Sequence, residues 1–547
     1  MLDFMIGGRT APAETASMLE TETRPTILTI DGTRFQTTVL RHDTATFTAD
    51  LEEGEVYAFL GYAPFDASIA RSGAGYVYAF NAKIFGPDRE AISSTYVNFF
   101  EPTLGSFPCF GGIYFTAPQT GPYTISIFGT NLHRSMTIEI SLQSAQAFSS
   151  MWNGANLASP TLRALWEKDL LAPGTVEAYY ESRMGLGPLV EDYPGDPDFA
   201  YVTFLYKGDE SLRLVTLASG PTTYATPMQR FGDSHIYTLT RRVPKDAYFQ
   251  YSFHTNRKLS IAGELPFFQA DPATNTYETD PLSACGSVMI LSDAVIAKET
   301  RPTSAPKGRI LTEKLHSDIL GGGRTYHVYL PSDFEEDRQL PLLVALDGES
   351  MLGPAASVPL PTILDNLIAT KRIPRMAAIL VESTTERARD LISSHAYADF
   401  LVKELLPKVR GAYGVTSDPT RTILAGYSFG GLQAAYSSLL YSRTFGNALC
   451  LSPSFWANPE VSQDLDFYRE NLVQPMLMDS NVRSSGVRFF LTYGIFESLI
   501  QLPTRHIRDM LKLNGMFVDW REYPANHCCL SWSNGFVDGL ISLAGGW

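Results

Sequence analysis

In the stretch RTILAGYSFGGLQAAY (Arg421–Tyr436), an apolar run, Thr422-Ile423-Leu424-Ala425, stops at Gly426. Tyr427, Ser428, Phe429, Gly430 and Gly431 follow, and then a helix-forming segment, Leu432–Tyr436. A short apolar run, a glycine cluster and a helix former in that order predict a buried strand that turns directly into a helix. Gly426-Tyr427-Ser428-Phe429-Gly430 also fits G-x-S-x-G, the pattern of a serine raised on a strand-to-helix turn. By chance such a pattern occurs in roughly one chain in five or ten of this length. The alternative is a glycine-rich loop with an incidental serine, so the flanking strand and helix carry the weight. Glycines beside the serine permit a tight turn. The N-terminus of the following helix favours the negative charge that develops when a serine attacks a carbonyl.

The surroundings have the grammar that such a turn requires. Strand-like runs at Tyr326–Leu330, Leu342–Leu346, Met376–Val381, Ala448–Leu451, Val487–Thr492 and Phe517–Tyr523 alternate with helical segments. Among these helices are Ala396–Arg410, with Leu401, Leu405 and Val409 on one face, and a last one over about Ser531–Leu543. This alternation predicts a mostly parallel sheet covered on both faces. Gly321-Gly322-Gly323 lacks the Lys-Ser/Thr of a phosphate loop and reads as a hairpin turn.

A serine hydroxyl needs a base, and in α/β-hydrolases the order along the chain is nucleophile, acid, histidine. Two histidines follow Ser428. His506 sits in Thr504–Leu513, which reads as an amphipathic surface helix. His527 follows the loop Pro524-Ala525-Asn526, between a strand and the last helix, where a base belongs. Nine carboxylates lie between Ser428 and His527. Asp464, Asp466 and Glu470 fall in polar stretches, whereas Glu497 lies just past the strand Val487–Thr492, where the orienting acid is expected. Asp519, inside a predicted strand, is the alternative. An oxyanion hole needs two backbone N–H groups. Phe429 offers one, and Gly348, in the Asp347-Gly348-Glu349 turn after Leu342–Leu346, is the candidate for the other. An ordinary Asp-Gly turn is the competing reading of Gly348.

The N-terminal part differs. Residues from about 25 to 143 read as all-β, with period-2 alternation in Gly121–Phe128 and further strands at Glu55–Leu60, Gly75–Phe80 and Met136–Leu142. The pattern Gly-Pro-Tyr-Thr-Ile-Ser-Ile is similar to the last hairpin of prepeptidase C-terminal-like domains. Ser159-Pro160 supplies an N-cap and first-turn proline for a helix over Thr161–Leu171. Strands at Tyr201–Tyr206, Leu212–Leu217, Ile236–Thr240 and Tyr248–His254 suggest a second sandwich, and residues 296–308 read as a Pro/Ser/Thr-rich linker. The expected architecture is therefore two β-sandwich domains, 1–145 and 146–300 (the second with a helical lead-in), ahead of an α/β-hydrolase catalytic domain, 301–547.

Composition narrows the class. The net charge of -15 argues against nucleic acid as a partner. No apolar run is long enough for a membrane span, and the start, MLDFMIGGRT, lacks the basic and apolar regions of a signal peptide, so a cytoplasmic location is expected. Five cysteines without C-x-x-C spacing predict neither a disulfide framework nor a metal site, and no cofactor is expected.

Several stretches, in order, resemble the enterochelin esterases, which hydrolyse ester bonds of catecholate siderophores to release iron. They are SRMGLGPLVE (Ser182–Glu191), ADPATN (Ala270–Asn275), LPLLVALDGESM (Leu340–Met351), STTERARDL (Ser383–Leu391), ELLPKV (Glu404–Val409), AGYSFGGLQAAY, GIFE (Gly494–Glu497) and HCCLSW (His527–Trp532). The resemblance covers residues from about 177 onward and implies a serine esterase acting on a small-molecule ester, a ferric siderophore in the family's case. It also implies that Arg387 meets an anionic part of the substrate. The alternatives for Arg387 are a surface arginine or an ion pair with Glu386 or Asp390. The chain departs from the family at Tyr427, where glutamine is common, at Ala525-Asn526 in place of glycines, and at Cys528 in place of aspartate. Two other functions compete: an esterase for acetyl or feruloyl groups on carbohydrates, and a non-catalytic binding protein. The intact Ser428, Glu497 and His527 set argues against the second.

Overall fold

Among the described residues of the N-terminal part, nine strands are present: Thr26–Ile27, Phe35–Val39, Thr44–Leu51, Val56–Ala63, Tyr76–Phe85, Ala91–Phe100, Cys109–Thr116, Gly121–Gly129 and Met136–Ser144 (β1–β9). The computed structural model describes most of residues 26–547; the longer stretches outside the description are 64–75, 101–108, 130–135, 145–156, 256–286 and 459–470. Hydrogen bonds join β1–β9 into one sheet, in the order β1-β3-β8-β5-β6-β7-β4-β9-β2. On β8 alternate residues are buried, Tyr123, Ile125 and Ile127, as a strand with one covered face requires; on β9 Ile140, Ser141, Leu142 and Gln143 are buried in succession.

Among the described residues two helices follow, Pro160–Asp169 (α1) and Thr175–Ser182 (α2). Ser159 caps α1 by accepting the Leu162 N–H at 3.1 Å. The next eight strands are Leu189–Asp192, Phe199–Lys207, Val215–Ser219, Thr226–Pro227, Gln229–Arg230, Ile236–Pro244, Tyr248–Thr255 and Ser287–Ile290 (β10–β17). They make two four-stranded sheets, β10-β11-β15-β14 and β13-β12-β16-β17. Val202, Phe204, Val215, Leu217, Phe249 and Phe253 of the two sheets share one apolar core. The expectation on Ala270–Asn275 falls outside the described residues.

The last eight strands, Arg309–Ser317, Gly322–Leu330, Leu342–Leu346, Ala377–Val381, Thr422–Tyr427, Asn447–Leu451, Arg488–Gly494 and Val518–Tyr523 (β18–β25), form one sheet in the order β18-β19-β21-β20-β22-β23-β24-β25. β18 and β19 are an antiparallel hairpin, and β19 pairs antiparallel with β21; every pair from β21 to β25 is parallel. The hairpin turns through Gly321 (φ 68°) and Gly322 (φ 106°), conformations open to glycine. β20, β21, β22 and β23 are buried along their whole length, which is why they read as unbroken apolar runs. Their side chains alternate between two cores. Leu342, Val344 and Leu346 face Leu401, Leu405 and Leu432, and Leu343 and Ala345 face Leu364, Leu367 and Leu540.

The covering helices are Leu360–Ala369 (α3), Arg387–Leu391 (α4), His395–Asp399 (α5), Leu406–Tyr413 (α6), Phe429–Leu440 (α7), Ser498–Leu513 (α8) and Cys529–Ala544 (α9). Between α5 and α6 the turn widens to a π-helix over Phe400–Leu405. Leu401, Leu405 and Val409 are buried together as the periodicity predicts, but the helix is not uniform. Pro407 lacks the N–H that would bond Lys403, and a widened turn relieves the clash of its ring with that carbonyl.

The 296–308 segment is not a free linker. It is strapped to α3: Asn366 Nδ2 donates to Glu299 O and to Arg301 O, both at 2.8 Å, and Gly308 N–H donates to Asp365 Oδ1 at 2.8 Å. The strand β16 meets the sheet's far end, where Tyr248 packs with Tyr523, Ala525, Cys528 and Leu530.

Candidate active site

The elbow at Ser428 is built by close backbone approach. β22 ends at Tyr427 and α7 begins at Phe429. Ser428 is left with φ 56° and ψ -123°, a conformation costly for any residue but glycine. A Cβ at Gly426 would lie 2.4 Å from the Gly430 carbonyl carbon, and one at Gly431 would lie 3.1 Å from Pro453 Cα. The glycines around the serine are thus there to let the helix fold back onto the strand. Three hydrogen bonds hold the strained residue: Ser428 N–H to Leu451 O at 3.0 Å, Leu432 N–H to Ser428 O at 3.2 Å, and Ser454 N–H to Ser428 O at 3.0 Å. Ser428 Oγ lies 3.4 Å from Ser454 Oγ.

Glu497 follows β24, as the sequence predicts for the acid. One carboxylate oxygen, Oε1, is 2.5 Å from His527 Nδ1. The other, Oε2, accepts the Gly494 N–H and the Ser452 hydroxyl at 2.9 Å. The carboxylate is 1% exposed, and the imidazole it holds is 40% exposed, so the pair has a dry end and an open end. With Nδ1 turned to Glu497, Nε2 is the ring nitrogen left for a serine proton. His527 stands edge-on to Trp532, ring centroids 4.9 Å apart, and Trp532 stacks on Tyr427 at 4.2 Å. These aromatic contacts join the histidine loop to the elbow.

Asp519 is elsewhere, bonded to Arg521 Nη1 at 2.7 Å and to Ser542 Oγ at 2.7 Å. His506 is exposed on α8. Asp464, Asp466 and Glu470 lie outside the described residues.

Gly348 opens a short turn after β20. A Cβ there would lie 2.5 Å from the Leu380 carbonyl carbon, so glycine lets the loop press against β21. Phe429, first residue of α7, has a backbone N–H with no partner inside its own helix. Asp347, before Gly348, takes a left-handed conformation (φ 62°) with its carboxylate buried. Arg387 grips that carboxylate with both arms of its guanidinium, Nε to Oδ1 at 2.6 Å and Nη2 to Oδ2 at 2.7 Å, and Ser383 Oγ donates to Oδ1 at 2.5 Å. Arg387 is therefore paired, with neither Glu386 nor Asp390 but with the aspartate beside the glycine loop; its guanidinium also lies 5.4 Å from the Phe429 ring.

Several site residues carry no local sequence signal. Ser452, buried with φ 42°, supports Glu497. Tyr427 OH meets Ser350 Oγ, and Ser350 Oγ donates to Asp347 O at 2.7 Å. Burial pushes the Cys528 thiol up to about 12, so this residue is packing. Among the described residues, no cluster of His, Cys, Asp and Glu could hold a metal ion, and no helix is long and apolar enough to cross a membrane.

Residues 317–542 match the family model Esterase, described as "Putative esterase". The iron(III) enterobactin esterase of Escherichia coli is 30% identical over 229 residues, which cover 42% of this chain and 55% of that protein. The iron(III) salmochelin esterase of another Escherichia coli strain is 26% identical over 381 residues, covering 65% of this chain and 91% of that one. The solved enterobactin esterase from Shigella flexneri, in the presence of enterobactin, aligns with a TM-score of 0.54 at 24% identity, over 67% of this chain and 97% of that chain. The ferric enterobactin esterase from Salmonella typhimurium aligns at 0.55 and 23%, over 67% and 98%. At these identities the structural likeness speaks to fold. The chain spans about half the length of the Escherichia coli enterobactin esterase it matches, 55% of it. A mostly parallel eight-stranded sheet with a strained serine elbow is the arrangement of an α/β-hydrolase-like domain. Within it, residues 317–542 match an esterase family model, and the chain is similar to proteins named iron(III) enterobactin and iron(III) salmochelin esterases.

Proposed function

We propose that this chain is a serine esterase that hydrolyses the ester bonds of a catecholate siderophore of the enterochelin trilactone type, and so aids release of its iron. The observation that carries the reading is the Glu497–His527 pair after the strands β24 and β25, linked through Trp532 to Tyr427, the neighbour of Ser428 on its strained elbow. Two relatives are named iron(III) enterobactin and iron(III) salmochelin esterases, which supports the substrate class.

In this reading Ser428 Oγ bonds to the ester carbonyl carbon while its proton passes to His527 Nε2. Glu497 keeps the imidazole in the tautomer that can accept it. The oxygen that becomes negative is held by the Phe429 and Gly348 N–H groups. The bond to the leaving alcohol breaks as His527 returns the proton to that oxygen, and water then repeats the sequence on the acyl-serine. Arg387, with Nε and Nη2 engaged by Asp347, acts first on the glycine loop and offers Nη1 to an anionic catechol. The division into 1–145, 146–300 and 301–547 belongs to the same reading, as does a cytoplasmic place of action.

The test is mass spectrometry of ferric enterobactin incubated with the chain and with its Ser428→Ala variant. Linear fragments ending in 2,3-dihydroxybenzoyl-serine should appear with the first and not the second. Cleavage of acetylated or feruloylated sugars, with the trilactone left whole, would favour a carbohydrate esterase instead.

A further inference from the structure

Asn526, the residue before the proposed base, makes contacts that a catalytic triad does not by itself require. It is 5% exposed, and its side-chain amide pairs with the backbone of Gln250 on β16. Gln250 N–H donates to Asn526 Oδ1 at 3.2 Å, and Asn526 Nδ2 donates to Gln250 O at 2.8 Å. Two residues earlier on the same strand, Tyr248 N–H donates to Pro524 O at 3.0 Å.

This arrangement fills an open strand edge. β16 pairs with β17 along Tyr248–Tyr251. On its other side the pairing with β12 stops at Ser219↔Ser252. Alternate residues of a strand direct their N–H and C=O groups to the same side, and past that stop Tyr248 and Gln250 would present those groups unpaired in a buried place. The loop 524–526 takes up both N–H groups and the Gln250 C=O, with the Asn526 amide standing in for a neighbouring strand's backbone. The strand reaches further into the site. The Gln250 side chain donates to Cys529 Sγ at 3.3 Å. Phe249 meets Phe496, the neighbour of Glu497, edge-to-face at 5.9 Å.

The geometry points to Asn526 as a positioning residue that fixes His527 by docking its loop onto β16, so that a strand from outside the α/β sheet completes the catalytic centre. This inference rests on the reading of His527 as the base. The loop is gripped from two sides. Phe496 N–H bonds Ala525 O at 3.1 Å on the acid side, and Asn526 bonds Gln250 on the other. The imidazole is 40% exposed, so its place depends on Glu497, Trp532 and the loop that carries it, and misplacement of a catalytic group by about 1 Å costs on the order of 100-fold in rate.

The experiment uses the full chain with Asn526→Ala and Asn526→Leu, the second keeping the branched side-chain shape while removing both hydrogen bonds. On p-nitrophenyl butyrate, kcat should fall about 10- to 100-fold with KM within about twofold. A fluorophosphonate should label Ser428 to the full stoichiometry in both variants, but more slowly by a similar factor. Wild-type kcat in the folded variants, with His527→Ala inactive, would overturn the docking role and leave the base assignment standing. Labelling that stops short in proportion to kcat, with unchanged rate in the labelled fraction, would mean simple loss of folded protein and would also overturn it. Activity in His527→Ala would instead sink the triad. Hydrogen exchange on the unaltered chain needs no variant to fold: the Gln250 amide should be as protected as the core of β16, and exchange at the rate of an open edge would refute the docking.

Discussion

Ser428 is held in a backbone conformation that its own side chain disfavours, and the strain is offset by the three hydrogen bonds around it. Ser428→Ala leaves that backbone in place and removes one oxygen, so kcat/KM on p-nitrophenyl esters should drop by about 10³-fold or more without a change in melting temperature. His527→Ala should match it, Glu497→Gln should cost less, and exposed His506→Ala should be silent; steady-state kinetics on the four variants checks the assignment. Ser452→Ala should cost about tenfold in kcat, since it removes one hydrogen bond to a buried carboxylate. Cys528 offers a pH test. Burial raises its thiol to about 12, so the neutral form persists far above neutrality and the reactive thiolate is nearly absent at pH 8. Iodoacetamide at that pH should leave Cys528 unmodified, by peptide mass spectrometry, and activity unchanged. Modification of Cys528 in the folded, active protein would contradict the effect of burial.

At the scale of elements, the turn after β20 and the short helix α4 form one unit. Asp347 lies at the base of the turn, and Arg387 holds it from α4. Read from sequence, Arg387 acts on the substrate's charge and spares neutral esters. The bidentate pair changes that expectation. Arg387→Ala leaves a buried carboxylate without its main partner, so it should destabilise the protein by about 1–3 kcal/mol, discounted for the arginine's partial exposure. It should also slow p-nitrophenyl acetate hydrolysis about tenfold, because the loop bearing Gly348 loosens. Arg387→Lys should recover part, keeping the charge without the fork. Denaturant melts alongside kinetics on neutral and catecholate esters separate the two effects. Full retention of activity on the neutral ester would return Arg387 to a role on substrate alone. α4 is itself anchored by Arg324 Nη1 to Asp390 Oδ2 at 2.6 Å, both side chains 4% exposed. Arg324→Met should lower stability by about 3 kcal/mol, seen as a shift in denaturation midpoint.

Across the whole molecule, the two β regions ahead of the α/β sheet play unequal parts. β16 touches both the acid loop and the histidine loop, whereas the nine-stranded sheet of β1–β9 contains none of the candidate catalytic residues. A chain beginning at residue 146 should therefore fold and hydrolyse small esters at close to the full rate. Removing residues 189–290 as well should abolish activity, because Pro524 O and the Asn526 amide lose their partners. Activity surviving the second deletion would show that β16 is dispensable.

The order of elements, the elbow at Ser428 and the placing of Glu497 and His527 after neighbouring strands were legible in the linear sequence. Each depends on short-range chemistry: a fully buried strand must be an apolar run, a strand that turns at once into a helix needs glycines, and an acid after a parallel strand lies at the sheet's carboxyl edge. The π turn at Phe400–Leu405 and the strapping of residues 296–308 onto α3 were not, since Leu401, Leu405 and Val409 keep a helical spacing through the turn and the strap is made largely by backbone groups of its segment. The pairing of Arg387 with Asp347, 40 residues apart, and of Asn526 with Gln250, 276 residues apart, was decided only by the tertiary structure. A buried charge or an open strand edge takes whatever partner the folded chain brings within about 3 Å. Sequence thus determined which groups could do the chemistry; which neighbours hold them still followed from the packing of β16 and α4 against the loops.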